Sequence, residues 1–457
     1  MAKNLVYDIH EKPPFSKLIV FAIQQLLAII VATIAVPDTV KNDMTAAAAI
    51  FGAGVGTIVY QLLTKFRSPV FLGSSFAFIG SMTAAFAGAS SMSLGYFGLV
   101  IGAIFGGLVY VVIALVVKFV GVGWINKLMP AVVIGPTVAL IGLSLASVAV
   151  GYVFSHGIQN KDGDFIMGVN AWASLVCALV TLVVVILCST YGKKMTKLIP
   201  FIIGVLSGYA VALVFTVIGY AANLDSLKVI DFTPFTDLVA EGVTFETFIA
   251  VPDFAFVEAI KGVKDFEWSY LARVAVAYIP VAFVVFAEHI ADHKNLSTIV
   301  ESNLLEDPGL HRTLLGDGLG SIAGAFFGGC PNTTYGESVG CIAITRNASV
   351  ATITTTAIMA VLVSFVSPFV AFLDSIPVCV MGGVCITLYG FIAVSGLKMI
   401  QKVDLEDHAN LFTVSVILIT GIGGMSMAIG KVVITKIACA LILGVLVNTL
   451  LKKFKSK

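Results

Sequence analysis

Apolar runs of about 20 residues recur along almost the whole chain, the length a helix needs to cross the hydrocarbon of a bilayer. Short polar or charged stretches close each run. The first seven lie at 18–36, 45–64, 69–88, 95–117, 129–151, 170–188 and 199–221. A polar stretch follows at 222–268. Seven more runs lie at 271–291, 313–329, 331–345, 349–373, 376–399, 409–428 and 433–451. The pattern predicts an all-α polytopic membrane protein with fourteen transmembrane segments. Two segments, 69–88 and 331–345, break the rule, because polar residues and glycine interrupt them. In the second, Cys330-Pro331-Asn332-Thr333-Thr334-Tyr335-Gly336-Glu337-Ser338-Val339-Gly340 sits in otherwise apolar surroundings. Backbone that leaves the helix at membrane depth is tolerated only where it is buried in protein or lines a cavity.

Composition agrees with this pattern. Of 457 residues 58% are hydrophobic and 12% charged, against roughly 25% charged in a soluble protein. Basic patches interleaved with aromatics are missing from the sequence, so nucleic acid is not an expected partner and the bilayer is. Lysine and arginine are unevenly spread. With the N-terminus inside, nineteen of the 27 fall on the inner side, among them Lys3, Lys194, Lys197, Arg346 and Lys457. Lys41, Lys161, Lys228, Lys261, Lys264 and Lys431 fall outside. This bias predicts that both termini are cytoplasmic, and that the acidic stretch 222–268 is external. The seven cysteines, Cys177, Cys188, Cys330, Cys341, Cys379, Cys385 and Cys439, lie in or beside apolar spans without metal-ligand spacing. They read as small buried residues rather than a disulfide framework. The tail is polar through Lys17 and has no A-x-A site, so no cleaved leader is expected.

The halves of the chain look related. Met129-Pro130-Ala131-Val132-Val133-Ile134-Gly135 opens the fifth segment, and Ile376-Pro377-Val378-Cys379-Val380-Met381-Gly382 opens the twelfth, 247 residues later. The break at Gly73-Ser74-Ser75-Phe76 matches the break in the tenth segment at a similar offset. Seven segments per copy is an odd number, so the second copy is inverted in the membrane. Paired interrupted segments in inverted repeats point to the binding site of a transporter.

Carboxylates inside the oil carry the candidate chemistry. An ionised side chain at the centre of a membrane helix costs about 2.5–3.5 kcal/mol on insertion scales, so one that persists is a functional candidate. Glu288 follows five apolar residues, and Asp292 shares its helix face. Asp292 and His293 either mark the exit from the membrane or continue a proton path. Glu337 either caps a half-helix or holds a ligand. An ionised carboxylate only accepts hydrogen bonds, so two of them suit a small heterocycle with N–H groups. Phe76 and Tyr335, at the paired breaks, either pack or stack on a planar ligand. Asp317 either starts the ninth segment or joins a proton path. No nucleophile stands with a base and no metal cluster is evident, so an enzyme is not expected.

Glu306-Asp307-Pro308-Gly309-Leu310-His311-Arg312, Pro331-Asn332-Thr333-Thr334-Tyr335-Gly336-Glu337 and Ala343-Ile344-Thr345-Arg346 resemble the nucleobase–ascorbate transporter family, and within it most resemble the bacterial uracil permeases. Leu72-Gly73-Ser74-Ser75-Phe76-Ala77-Phe78, Ala287-Glu288-His289-Ile290 and Val380-Met381-Gly382-Gly383 fit as well. The resemblance implies two inverted repeats of seven spans, with short strands in segments 3 and 10 that pair with one another. It implies a core domain of 1–128 and 271–373 and a gate domain of 129–221 and 374–457, with 222–270 as an external loop. It implies a homodimeric proton symporter of the cell membrane that takes uracil, with xanthine or another purine as the alternative and an anion carrier of the same architecture behind both. The coupling ion is the proton and no cofactor is implied. The base is expected at Glu288, Glu337, Phe76, Gly336, Tyr335 and Ser338, and proton coupling at Glu288, Asp292, His293 and Asp317. The chain departs from the family pattern in two places. Ser338 stands where asparagine follows the glutamate, and Gln24-Gln25 stands where the first segment carries Gln-His. A third position, Asp292, holds histidine in many uracil permeases and is more reminiscent of purine-type members.

Overall fold

A computed structural model of the chain describes residues 5–155, 158–193, 195–429 and 432–455. Lys3, Lys194, Lys431 and Lys457, counted in the charge bias, lie outside them. The chain begins α1 (Phe15–Val40), α2 (Ala46–Leu63), β1 (Leu72–Ser74), a 3-10 turn at Phe76–Phe78, α3 (Ile79–Ala87) and α4 (Met92–Val120). It continues through α5 (Gly123–Leu128), α6 (Ala131–Ser144), α7 (Ala146–Val153), α8 (Val169–Tyr191), α9 (Met195–Leu198) and α10 (Pro200–Ala221). The acidic stretch holds α11 (Thr233–Asp237) and α12 (Ala255–Gly262). Then come α13 (Trp268–Val300), α14 (Leu310–Gly328), β2 (Asn332–Thr334), α15 (Gly336–Thr345), α16 (Val350–Val363) and α17 (Ser367–Asp374). The chain closes with α18 (Val378–Ile400), α19 (His408–Ile422), β3 (Met427–Ile429), β4 (Val432–Ile434) and α20 (Lys436–Lys455).

Nine helices among the described residues, taking α6 and α7 as one, are long and apolar enough to cross a membrane. Shorter elements occupy the other expected segments, and several differ from the sequence reading. The eighth segment, expected at 271–291, is a helix of 33 residues, roughly 50 Å at 1.5 Å per residue. Asp292 and His293 therefore stand inside it and not at its exit. The fifth breaks at Leu145 between α6 and α7. The helix of the eleventh stops at Val363; beyond it a single antiparallel bridge joins Val366 to Ile249 of the acidic stretch, and Phe365 O accepts from Ala250 N–H. The thirteenth ends early, because Gly421, Gly423 and Gly424 follow one another closely and Gly424 takes a positive φ of 72°. The β3–β4 hairpin fills the space expected to be helix.

Two packing groups share the molecule. In one, α14 lies against α2 and α4, with α13 and α16 around them. In the other, α18 lies against α6, α7 and α8, with α10, α19 and α20 alongside. Helix α1 touches members of both.

The α2–α14 seam decides where the functional site forms. Gly52 and Gly56 of α2 face Gly320, Gly324 and Gly328 of α14, so close that a Cβ on Gly56 would stand 2.7 Å from the carbonyl oxygen of Gly320. Lipid offers no hydrophobic drive for two helices to associate, so small residues that admit close backbone packing supply it. The strand that follows α2 and the strand that follows α14 are thereby brought together. Asn332 fills the remaining gap, with its Nδ2 donating to the carbonyl oxygen of Gly52 at 3.0 Å.

Candidate functional site

The strands meet in the middle of the first packing group. β1 and β2 are antiparallel, with Leu72 opposite Thr334, Gly73 opposite Thr333 and Ser74 opposite Asn332. Backbone bonds extend the ladder at both ends, from Ser75 N–H to Pro331 O (2.9 Å) and from Tyr335 N–H to Phe71 O (3.1 Å). So short a ladder leaves edges that a dry interior would penalise. Helix α2 covers one of them. Thr57 both donates to Leu72 O (3.1 Å) and accepts from Leu72 N–H (2.9 Å), and Gln61 Nε2 donates to Ser68 O and Val70 O. The expected pairing of the two broken segments is present, in this register.

Gly73 is required by its neighbour. A Cβ there would fall within the ring of Tyr335, which lies over the strand and donates its hydroxyl proton to Ser74 O at 2.9 Å. Tyr335 thus clasps both strands while one side of it faces the cavity. Immediately beyond the strands, the turn at Phe76 and the first turn of α15 begin at the same crossing. Helix starts present unbonded N–H groups and a positive dipole end.

A cavity of about 350 Å³ opens beside the crossing. Phe76, Thr333, Thr334, Tyr335, Gly336 and Glu337 line it from the strand crossing, and Glu288 and Asp292 from α13. The second packing group supplies the opposite wall, including Val138, Phe201, Phe391 and Ser395. The volume sits at the small end of the range for ligand sites. The cavity reaches out past Asn295 of α13 and Lys197 of α9. At its other end the two groups are joined. Tyr389 packs edge-on against Phe76, with ring centroids 5.5 Å apart, and its hydroxyl lies 3.1 Å from Thr39 Oγ1. Nearby, the Tyr152 hydroxyl donates to Asp38 O at 2.8 Å.

The expected site residues divide. Glu288, Glu337, Phe76, Gly336, Tyr335 and Asp292 come together on the cavity. Asp292 is steadied there by Thr334, whose hydroxyl donates to Oδ2 at 2.8 Å. His293, Asp317 and Ser338 face elsewhere. His289 and His293 lie on a neighbouring face of α13 that is turned away from the cavity, fully buried, with rings stacked 4.1 Å apart. His289 Nδ1 meets Asp317 Oδ2 at 2.7 Å and its Nε2 meets Thr313 Oγ1 at 3.0 Å; His293 Nε2 meets the Tyr60 hydroxyl at 2.8 Å. This polar chain lies within the first packing group and does not line the cavity. Ser338 is fully buried behind Glu337. Sequence reasoning missed Tyr389, His289 and Lys197. Tyr389 sits in an unbroken apolar helix and carries no signal. Lys197 resembles any flanking lysine, whereas His289, next to Glu288, was open to notice.

Comparison with known proteins bears on the family and the fold. The family model for xanthine and uracil permeases, described as "Permease family", matches residues 16–430. A uracil permease of Bacillus caldolyticus is 38% identical over 98% of this chain and 94% of its own. A uracil permease of Bacillus subtilis is 36% identical over 97% and 94%, and one of Escherichia coli K12 is 33% identical over 97% and 93%. Among solved structures, the transmembrane domain of a cyanobacterial bicarbonate transporter, BicA, superposes with a TM-score of 0.62 at 14% identity, covering 97% of this chain and 99% of that one. A murine Solute Carrier 26 anion transporter in the inward-facing state superposes at 0.60 and 13% identity, covering 98% and 70%. At such identities the likeness is one of fold.

Proposed function

The chain belongs to the xanthine and uracil permease family, the nucleobase–ascorbate transporters, and on that footing we propose that it imports uracil across the cytoplasmic membrane together with protons. It is a multi-pass membrane transporter and not an enzyme. One observation carries the substrate reading: two carboxylates, Glu288 from α13 and Glu337 from α15, share a cavity beside a strand crossing built from both halves of the chain. Uracil is a flat ring with N–H donors. Each carboxylate accepts such donors, and a hydrogen bond to a charged group contributes roughly 1.5–3 kcal/mol. Phe76 lies where its ring can pack on the base, and the backbone groups of Phe76 and Gly336 stand ready at the two half-helix starts.

Transport then follows from the two packing groups. Residues 1–128 and 271–373 act as the core that carries the base, and residues 129–221 and 374–457 act as the gate. With both termini in the cytoplasm, the cavity mouth at Lys197 and Asn295 faces inward, and the Thr39–Tyr389 and Asp38–Tyr152 contacts close the outer side. Binding of a proton by a cavity carboxylate (Glu288, with Asp292 one turn away) couples movement to the proton gradient. The protein works as a homodimer. An anion is disfavoured as substrate, because three carboxylates line the site. Asp292 keeps a purine such as xanthine as the second reading. The test is binding of labelled uracil and, separately, of labelled xanthine to purified protein at two pH values. Binding of uracil that excess xanthine does not displace is expected. Binding of xanthine alone transfers the assignment to the purine, and no binding of either rejects the nucleobase reading.

A further inference from the structure

The two departures from the family pattern, Gln25 and Ser338, are 313 residues apart in sequence and touch in the structure. Gln25 Nε2 donates to Ser338 Oγ at 2.5 Å, and both residues are buried. The same oxygen accepts the Phe71 backbone N–H at 3.2 Å. The carbonyl of the same residue, Phe71 O, one peptide further on, accepts from Tyr335 N–H at 3.1 Å. One hydroxyl therefore ties three pieces of chain: α1, the entry to β1 and the first turn of α15. Successive residues on a helix point about 100° apart at 3.6 residues per turn. Ser338 is held on the hidden side of that turn, while Glu337, the residue before it, faces the cavity.

We infer that Gln25 and Ser338 form a length-matched positioning pair that sets the rotation of the first turn of α15, and with it the aim of the Glu337 carboxylate at the substrate. Serine is too short to reach α1 unaided, and glutamine spans the gap that a shorter partner leaves. Removing the hydroxyl strands two buried donors, the Gln25 amide and the Phe71 N–H, and buried polar groups without partners are costly. The turn relieves this by rotating. A hydrogen bond from the base to Glu337 weakens steeply as its angle departs from linear, so a small rotation suffices. Neither Gln25 nor Ser338 touches the cavity, so neither acts on the base directly.

The inference rests on Glu337 as a substrate ligand and deepens the uracil reading. The test measures uracil KM and maximal uptake rate in cells, and uracil Kd on purified protein, for Ser338→Ala, Gln25→Ala, Gln25→Asn and the Ser338→Ala/Gln25→Ala double. Each single variant is expected to raise KM and Kd about tenfold with maximal rate per molecule within twofold of wild type, and the double to be no worse than the poorer single. Ser338→Asn is expected to lose affinity alone and to regain at least part of it with Gln25→His, which installs the family residues at both ends. Multiplicative losses in the double, an unaffected Gln25→Ala, or no recovery in Ser338→Asn/Gln25→His would each overturn the pair. Gln25→Asn keeps an amide but is one methylene short, and serves where Ser338→Ala folds poorly. Wild-type protein that ignores uracil but binds another nucleobase fails only the uracil reading, and the same variants are then scored with that base.

Discussion

At the scale of single residues, the carboxylates were legible because they are out of place in oil. Glu288→Ala should abolish uracil uptake while the purified protein keeps a wild-type melting temperature, since no packing is lost at a cavity wall. Uptake at wild-type rates would remove Glu288 from the site. Glu337→Gln keeps shape and loses charge; its uracil affinity should fall by roughly 10- to 100-fold, the equivalent of one charge-assisted hydrogen bond. Direction was harder to read than type. Ser338 lies beside Glu337 in sequence but faces α1 and not the cavity. His293 lies beside Asp292, yet one faces Tyr60 and the other the cavity. A sequence names neighbours on a helix without saying which wall each one meets. That information appears only when the partners α1, α2 and α14 are in place.

At the scale of elements, the interrupted segments could be found in the sequence, and their pairing followed from the need to satisfy exposed backbone. What arranges them could not. The α2–α14 seam depends on glycines at four-residue spacing, a pattern present in many helices of a chain with 43 glycines. Asn332→Ala should lower the melting temperature, because Gly52 O then loses a buried donor, at about 1–3 kcal/mol. Gly324→Val should lower it as well, since its side chain would run into the Asn332 amide, and overpacking typically costs about 1–3 kcal/mol. Thermal unfolding in detergent, read by size-exclusion elution, would report both; unchanged melting by Gly324→Val would contradict the seam. The β3–β4 hairpin and the break at Leu145 were not foreseen. Apolar strand, apolar loop and apolar helix look alike to hydropathy, and short runs do not separate them.

At the scale of the whole molecule, the membrane class was legible from charge and hydropathy, while the packing of two helix groups around one cavity was not. If protons drive the cycle, uracil accumulation in cells should fall as external pH rises from 5 to 8 and collapse with a protonophore. Uptake that is indifferent to both would remove proton coupling. The short ladder between β1 and β2 also bears on how the protein is made. Residues 72–74 have no backbone partner until residues 332–334 exist, a wait of roughly 10–50 s at about 5–20 residues per second of synthesis. During that time the emerging first half carries a strand edge that neither lipid nor its own helices can fully satisfy. Maturation of this carrier is therefore a reunion of its ends. If its gene were split at the acidic loop, the two halves would be expected to survive only when produced together.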